Sequence, residues 1–141
     1  MLDEPLVDPA AVRRAREAAG LSQAQLARAL EVGAEVVYNW ERGVHVPQER
    51  RLADIARVLG LDAAALLRAG PTDLRRLRWL AGCTAAQAAE AAGVSPTTWA
   101  RWESGAVRRI PDAVVLARLQ RLFTVNATTV EAAFRLSRSD R

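Results

Sequence analysis

The 141-residue sequence has no lysine, a single cysteine, a single histidine, one tyrosine and two phenylalanines. One thiol, Cys83, cannot form an internal disulfide, and its match to Leu21 in the repeat described below makes it read as a small buried apolar residue. His45 stands without a cysteine or second histidine nearby, which excludes the usual zinc ligand spacings. No apolar run approaches the roughly 20 residues of a membrane span. The start, Met1-Leu2-Asp3-Glu4, lacks the basic and apolar regions of a secretory signal, so the chain is expected to be soluble and cytoplasmic, with no membrane partner. No stretch alternates with the period of two that marks a strand. Glycine-rich phosphate loops, Cys/His clusters and nucleophile–base arrangements are missing too, so neither an enzyme nor a cofactor is expected.

What the chain has instead is arginine, which makes up all 20 of its basic residues. A GC-rich genome would produce that bias as readily as selection for guanidinium chemistry, so the bias itself says little about function. Its distribution says more. Residues 1–70 hold 9 arginines and 10 acidic residues, net −1, whereas residues 71–141 hold 11 and 6, net +5. Attraction to phosphate is therefore expected mainly in the second half.

The two halves are copies of one pattern. An offset of 62 places Gly20 on Gly82, Leu21 on Cys83, Ser22 on Thr84, Gln25 on Gln87, Val32 on Val94, Trp40-Glu41 on Trp102-Glu103 and Gly43 on Gly105. Beyond those glycines the second copy carries two more residues, so Pro47 pairs with Pro111 and Asp62 with Asn126. This is an internal duplication into units of about 60 residues, near the lower limit for a self-supporting core.

Helix start and stop signals divide each copy. In the second, Thr84 opens a helix from Ala85 to Ala92, Gly93-Val94 turns, and Ser95-Pro96 opens a helix that ends at Ser104-Gly105. That is the layout of a helix-turn-helix. The first copy matches it, with Ser22 before Gln23 to Leu30 and then Ala34 to Arg42. A first helix is expected over Pro9 to Ala19 and over Asp73 to Ala81. Fourth helices are expected to start at Pro47 and Pro111, and fifth helices to follow Asp62 and Asn126, running to about Arg68 and Leu136. Residues 1–8 and 137–141 read as loose ends. The chain thus reads as all-α, with two tandem five-helix domains, 9–69 and 71–137, joined by a short, stiff linker at Ala69-Gly70-Pro71.

Two units of this kind, each with Ser or Thr after a glycine, an alanine-rich second helix and Trp-Glu-x-Gly closing the third, resemble the Xre/Cro family of helix-turn-helix domains, the fold of the phage lambda repressor. The resemblance covers Pro9 to about Leu136. It implies a DNA-binding, lambda-repressor-like domain in each half and double-stranded DNA as the partner. It also implies that the Glu of Trp-Glu-x-Gly pairs with an arginine of the first helix, here Arg16 with Glu41 and Arg78 with Glu103.

The two cores differ in composition. Leu26 and Leu30 become Ala88 and Ala92, a loss of several buried methylene groups at about 0.8 kcal/mol each. Trp99 in place of Val37, with Leu77 and Leu80 in place of Ala15 and Ala18, is expected to refill that volume. Trp40, Trp99 and Trp102 accordingly read as packing residues, not as platforms for stacked bases.

In the family, base edges are read from the first residues of the third helix and from one turn later. Phosphates are held by the start of the second helix, the loop after the third and the start of the fourth. In the second copy the resemblance carries these roles to Thr84, to Pro96, Thr97 and Arg101 between Ser95 and Ser104, and to Arg108 and Arg109. Arg101 suits a bidentate bond to guanine, and Thr97 a thymine methyl or a base acceptor. In the first copy the corresponding residues are Gln23, Ala34, Glu35, Asn39 and Arg42, with Glu31 nearby. Gln23 matches the family's phosphate-contacting glutamine, while Ala85 does not. An acidic reading helix is repelled by phosphate unless Glu35 accepts from a cytosine amino group. Base reading and a scaffolding or protein-contact role therefore both stay open for the first copy.

Two functions follow. One is a sequence-specific transcriptional regulator reading a major groove chiefly with Ser95 to Ser104, as one chain on an asymmetric site or as a homodimer on a palindrome. The other is a protein-binding adaptor, an antitoxin or antiactivator, whose acidic first domain holds a protein partner.

Overall fold

Nine α-helices and one 3-10 turn lie within residues 6–107 and 109–139, the part of the chain that the computed structural model describes, and no strand lies among them. In the first unit these are α1 (Pro9–Ala18), α2 (Gln23–Leu30), α3 (Ala34–Arg42), α4 (Glu49–Leu59) and a 3-10 turn, Ala63–Leu66. The second contains α5 (Leu74–Leu80), α6 (Ala85–Ala92), α7 (Pro96–Glu103), α8 (Ala113–Phe123) and α9 (Ala127–Ser139). The two compact units divide between Ala69 and Gly70. None of the described helices is long and apolar enough to cross a membrane.

The second helices start where local chemistry dictates. Ser22 Oγ accepts from the Gln25 amide at 3.0 Å while Gln25 Oε1 accepts from the Ser22 amide at 2.8 Å. Thr84 and Gln87 repeat this reciprocal box at 3.1 and 2.9 Å. Each box satisfies two N–H groups that a helix start leaves without partners.

The structure corrects several expectations. Pro47 and Pro111 stand just before the fourth helices, whose caps are Gln48 and Asp112. Asp112 Oδ1 accepts from both Val114 N and Val115 N at 3.1 Å, which fixes the start two residues after the proline. The fifth element of the first unit is not an α-helix. Asp62 holds the cap position but makes no side-chain cap bond, and the chain leaves the single 3-10 turn extended at Leu67. There it meets a segment that had read as a loose end. Val7 and Leu67 form an antiparallel bridge, Asp8 N donates to Leu66 O at 2.8 Å and Arg68 N donates to Leu6 O at 2.7 Å. Asp8 also caps α1 through Ala10 N at 3.0 Å, and Val7 is buried. In the second unit Asn126 Oδ1 accepts from Thr129 N at 2.8 Å and α9 continues through Ser137, which is buried and accepts from Leu74 N at 3.2 Å. The C-terminal helix is thereby tied to the start of α5.

Each unit has its own core. The first is built from Val12, Leu26, Leu30, Val37, Trp40, Leu52, Ile55 and Leu66. The second surrounds Trp99, whose side chain is fully buried among Leu77, Ala88, Ala92, Leu119, Phe123 and Phe134. Trp99 and Leu77 do occupy the space beside the two alanines. Leu80 is only half-buried, and the remaining volume is filled by Phe123 and Phe134. Trp102 bridges this group, its ring centroid 5.7 Å from Trp99 and 5.2 Å from Phe134 in edge-on contacts. Cys83 is buried.

Candidate nucleic-acid interface

The third helix of each unit is anchored to the first by an ion pair that orients its outer face. Arg16 Nε and Nη2 donate to Glu41 Oε2 and Oε1 at 2.6 and 3.0 Å, and Arg16 Nη1 donates to Leu21 O at 2.8 Å. In the second unit Arg78 Nε and Nη2 reach Glu103 Oε2 and Oε1 at 2.6 and 3.1 Å, with Nη1 on Cys83 O at 3.2 Å. The Glu41 and Glu103 side chains are only 4% and 14% exposed. At that burial the two-pronged geometry is what makes the pairs tolerable. Burial pushes the Glu41 carboxyl up, but the bonds from Arg16 and Gln23 and the arginine charge outweigh it and hold the group below the ordinary carboxylate value. The bond to Glu41 raises Arg16 against the opposing effect of burial.

The third bond to each carboxylate comes from a different place in the two copies. Gln23 Nε2 donates to Glu41 Oε1 at 3.0 Å. Ala85 has no such group, and the indole Nε1 of Trp99 donates to Glu103 Oε2 instead. Sequence reasoning gave Gln23 to phosphate and Trp99 to packing alone. The structure commits one amide N–H of Gln23 to Glu41.

On the second unit, the outer side of α7 exposes Ser95, Pro96, Thr97, Ala100, Arg101 and Ser104. Ser95 Oγ caps the helix by accepting from Thr98 N at 3.1 Å and donates to Thr98 Oγ1 at 3.0 Å, so its hydroxyl is used locally. Ser104 Oγ donates to Arg101 O at 2.9 Å, which leaves its lone pairs outward. No acidic residue occupies the first turn of α7, so the positive end of its dipole is uncompensated. Arg101 and Arg109 line one open groove of about 370 Å³ with Thr98, Trp102, Ala106 and Pro111. The grouping joins residues that sequence reasoning had kept apart as base reader and phosphate contact. Thr84 is half-buried at the start of α6, with its hydroxyl in the capping box. Arg108 lies outside the described residues.

The corresponding face of the first unit is chemically different. Ala34 and Glu35 are exposed, Asn39 is half-buried and Arg42 is exposed. Gly33 caps α3 without a side chain, and a Cβ built on it would collide with the carboxylate of Glu35. Glu35 therefore folds back over the helix start and places a negative charge at the N-terminus of α3. Glu31 adds a second acid at the turn, in the left-handed conformation with φ +59°. Arg42 stacks over Tyr38 at 5.2 Å from the ring centroid.

His45 is exposed in the loop after α3, and no group of three potential metal ligands occurs among the described residues. Two family models match the chain, one described as helix-turn-helix over residues 12–66 and one as a helix-turn-helix domain over residues 72–133. No curated protein and no solved structure matches it.

Proposed function

Because the chain belongs to the helix-turn-helix DNA-binding regulators, with an Xre/lambda-repressor-like domain and a second helix-turn-helix domain in tandem, we propose that it is a sequence-specific transcriptional regulator whose second domain does the reading. The observation that carries this reading is the contrast between the two third helices. α7 offers Thr97 from a helix start free of acidic residues and Arg101 from its last turn, beside Arg109, whereas α3 offers Glu35 folded over its own start. In the major groove, Arg101 bonds guanine O6 and N7, Thr97 touches the neighbouring base, and Arg108 and Arg109 hold phosphates. The net charge of +5 on residues 71–141 supports the same division of labour.

A second reading, a protein-binding adaptor, is favoured by the acidic face of α3. Titration of the full chain against labelled random-sequence duplex at several salt concentrations separates the two. The regulator reading expects affinity that falls steeply with salt, with a slope lowered by about one for each phosphate-contacting arginine replaced. An adaptor shows no affinity for duplex to lose.

A further inference from the structure

We infer that the outer face of α3 is a self-association surface, and that its occupant is α3 of a second copy of this chain, packed antiparallel across a twofold axis. The inference rests on the reading above, in which α7 and not α3 faces DNA. Three observations carry it. Val37 and Trp40 point α3 into the core, which leaves Glu35, Tyr38 and Arg42 as one outward stripe at helical spacing. Tyr38, in the middle of that stripe, and Val44, in the turn that follows α3, are two of the four exposed large hydrophobic side chains among the described residues. Finally, the stripe has an acid at one end, a base at the other and an aromatic ring between them.

That order is its own complement when reversed. In an antiparallel pair the midpoint between residues 35 and 42 falls beside Tyr38, so Glu35 of each copy lies opposite Arg42 of the other and the two tyrosine rings meet near the axis. Glu31 then lies towards His45 of the other copy. Each such contact occurs twice, as a closed twofold interface requires. Arg42 is already held over Tyr38, so its planar guanidinium is ordered before the partner arrives and loses less freedom on pairing. Duplex DNA fits the same face poorly, because Glu31 and Glu35 would oppose phosphates. The second copy lacks the pattern altogether: its equivalents, Thr97, Ala100 and Ser104, are small and uncharged. A dimer formed this way carries two copies of α7 and matches an operator with two half-sites.

Sedimentation equilibrium of the full chain without DNA tests this. One helix and a loop make a small interface, so a dimer with a dissociation constant in roughly the micromolar range is expected. Glu35→Arg and Arg42→Glu each turn two attractive pairs into two repulsive ones and should weaken the dimer about tenfold or more. The double variant restores opposite charges and should return to within a few-fold of the parent chain, while Tyr38→Ala should weaken the dimer without rescue by either. All three positions are outward, and circular dichroism verifies that the helices persist. A chain that stays monomeric up to about 100 micromolar, far above that range, overturns the inference. So does a dimer indifferent to the single reversals, or a double variant as weak as the singles. Because no DNA is present, such a failure is separate from failure of α7 as the reading helix, which only DNA titration of Arg101→Ala exposes.

Discussion

The indole of Trp99 donates to the carboxylate of Glu103, one turn further along the same helix. In the first unit a glutamine from the preceding helix, Gln23, makes the equivalent bond to Glu41, and the position of Trp99 is held by Val37. The pair Gln23/Val37 has thus become Ala85/Trp99 with the carboxylate still receiving a bond from outside its arginine. One substitution fills the core beside Ala88 and Ala92 and replaces a lost donor.

Trp99→Phe should therefore destabilise the second unit by about 1–3 kcal/mol, as it keeps most of the volume but withdraws a donor from a buried carboxylate. Trp99→Val should cost about 3–5 kcal/mol, because a cavity is added. Introducing Ala85→Gln should recover a similar amount in both variants, most of the loss in the Phe variant and a smaller share in the Val variant, whose cavity remains. Urea unfolding of the full chain measures all three, and a gain from Ala85→Gln just as large in the parent chain, where Trp99 already donates, would separate the glutamine from the hydrogen bond.

Glu41 gives the first unit an acid-sensitive contact. Its folded carboxyl binds a proton less readily than the unfolded one, so its contribution is complete above the ordinary carboxylate value near 4.5 and is lost as pH falls below it through the lowered folded value. Glu41→Gln should cost about 3–5 kcal/mol at neutral pH by leaving Arg16 buried without its counter-charge. The variant's stability should also fall less steeply with acid in that window. Thermal unfolding across pH 3 to 7 tests both parts, and parallel curves for parent and variant would contradict the assignment.

The turn between the second and third helices offers a backbone test. Glu31 and Gly93 are equivalent, and both are left-handed, at φ +59° and +79°. Glu31→Gly should stabilise the first unit by about 0.5–1 kcal/mol, since a side chain in that conformation costs about 1–2 kcal/mol and the added chain entropy takes part of it back. Gly93→Ala should destabilise the second unit, because its Cβ would also lie 2.6 Å from Arg118 Nη1. Opposite signs in chemical denaturation are the expected result; equal signs would contradict the strain argument.

Much of this architecture is legible in the sequence because it is set locally. Ser22 with Gln25 and Thr84 with Gln87 announce the starts of α2 and α6, and Gly93 and Gly105 mark the turns after the second and third helices of the second copy. What was not legible depends on partners far along the chain. Ala63 to Leu66 have ordinary helical composition, yet Leu67 is drawn into pairing with Val7, which holds the helix to one turn. Phe134 has no equivalent in the first copy's core, so comparing the copies position by position missed it as the residue that fills the second. Glu35 was recognised as repulsive to phosphate. Its place over Gly33 follows only from a missing side chain at the cap.

Selection of bound sites from random duplex DNA, for the parent chain, Arg101→Ala and Glu35→Ala at matched salt, tests the central claim most directly. The account expects Arg101→Ala to lose preference for guanine at one position, at a cost of about 1–3 kcal/mol, with the rest of the motif retained. Glu35→Ala should leave the bases preferred within each half-site unchanged, while the pairing of half-sites weakens with the dimer. A half-site preference that survives Arg101→Ala intact and disappears with Glu35→Ala would contradict the account, because the first domain would then be the reader.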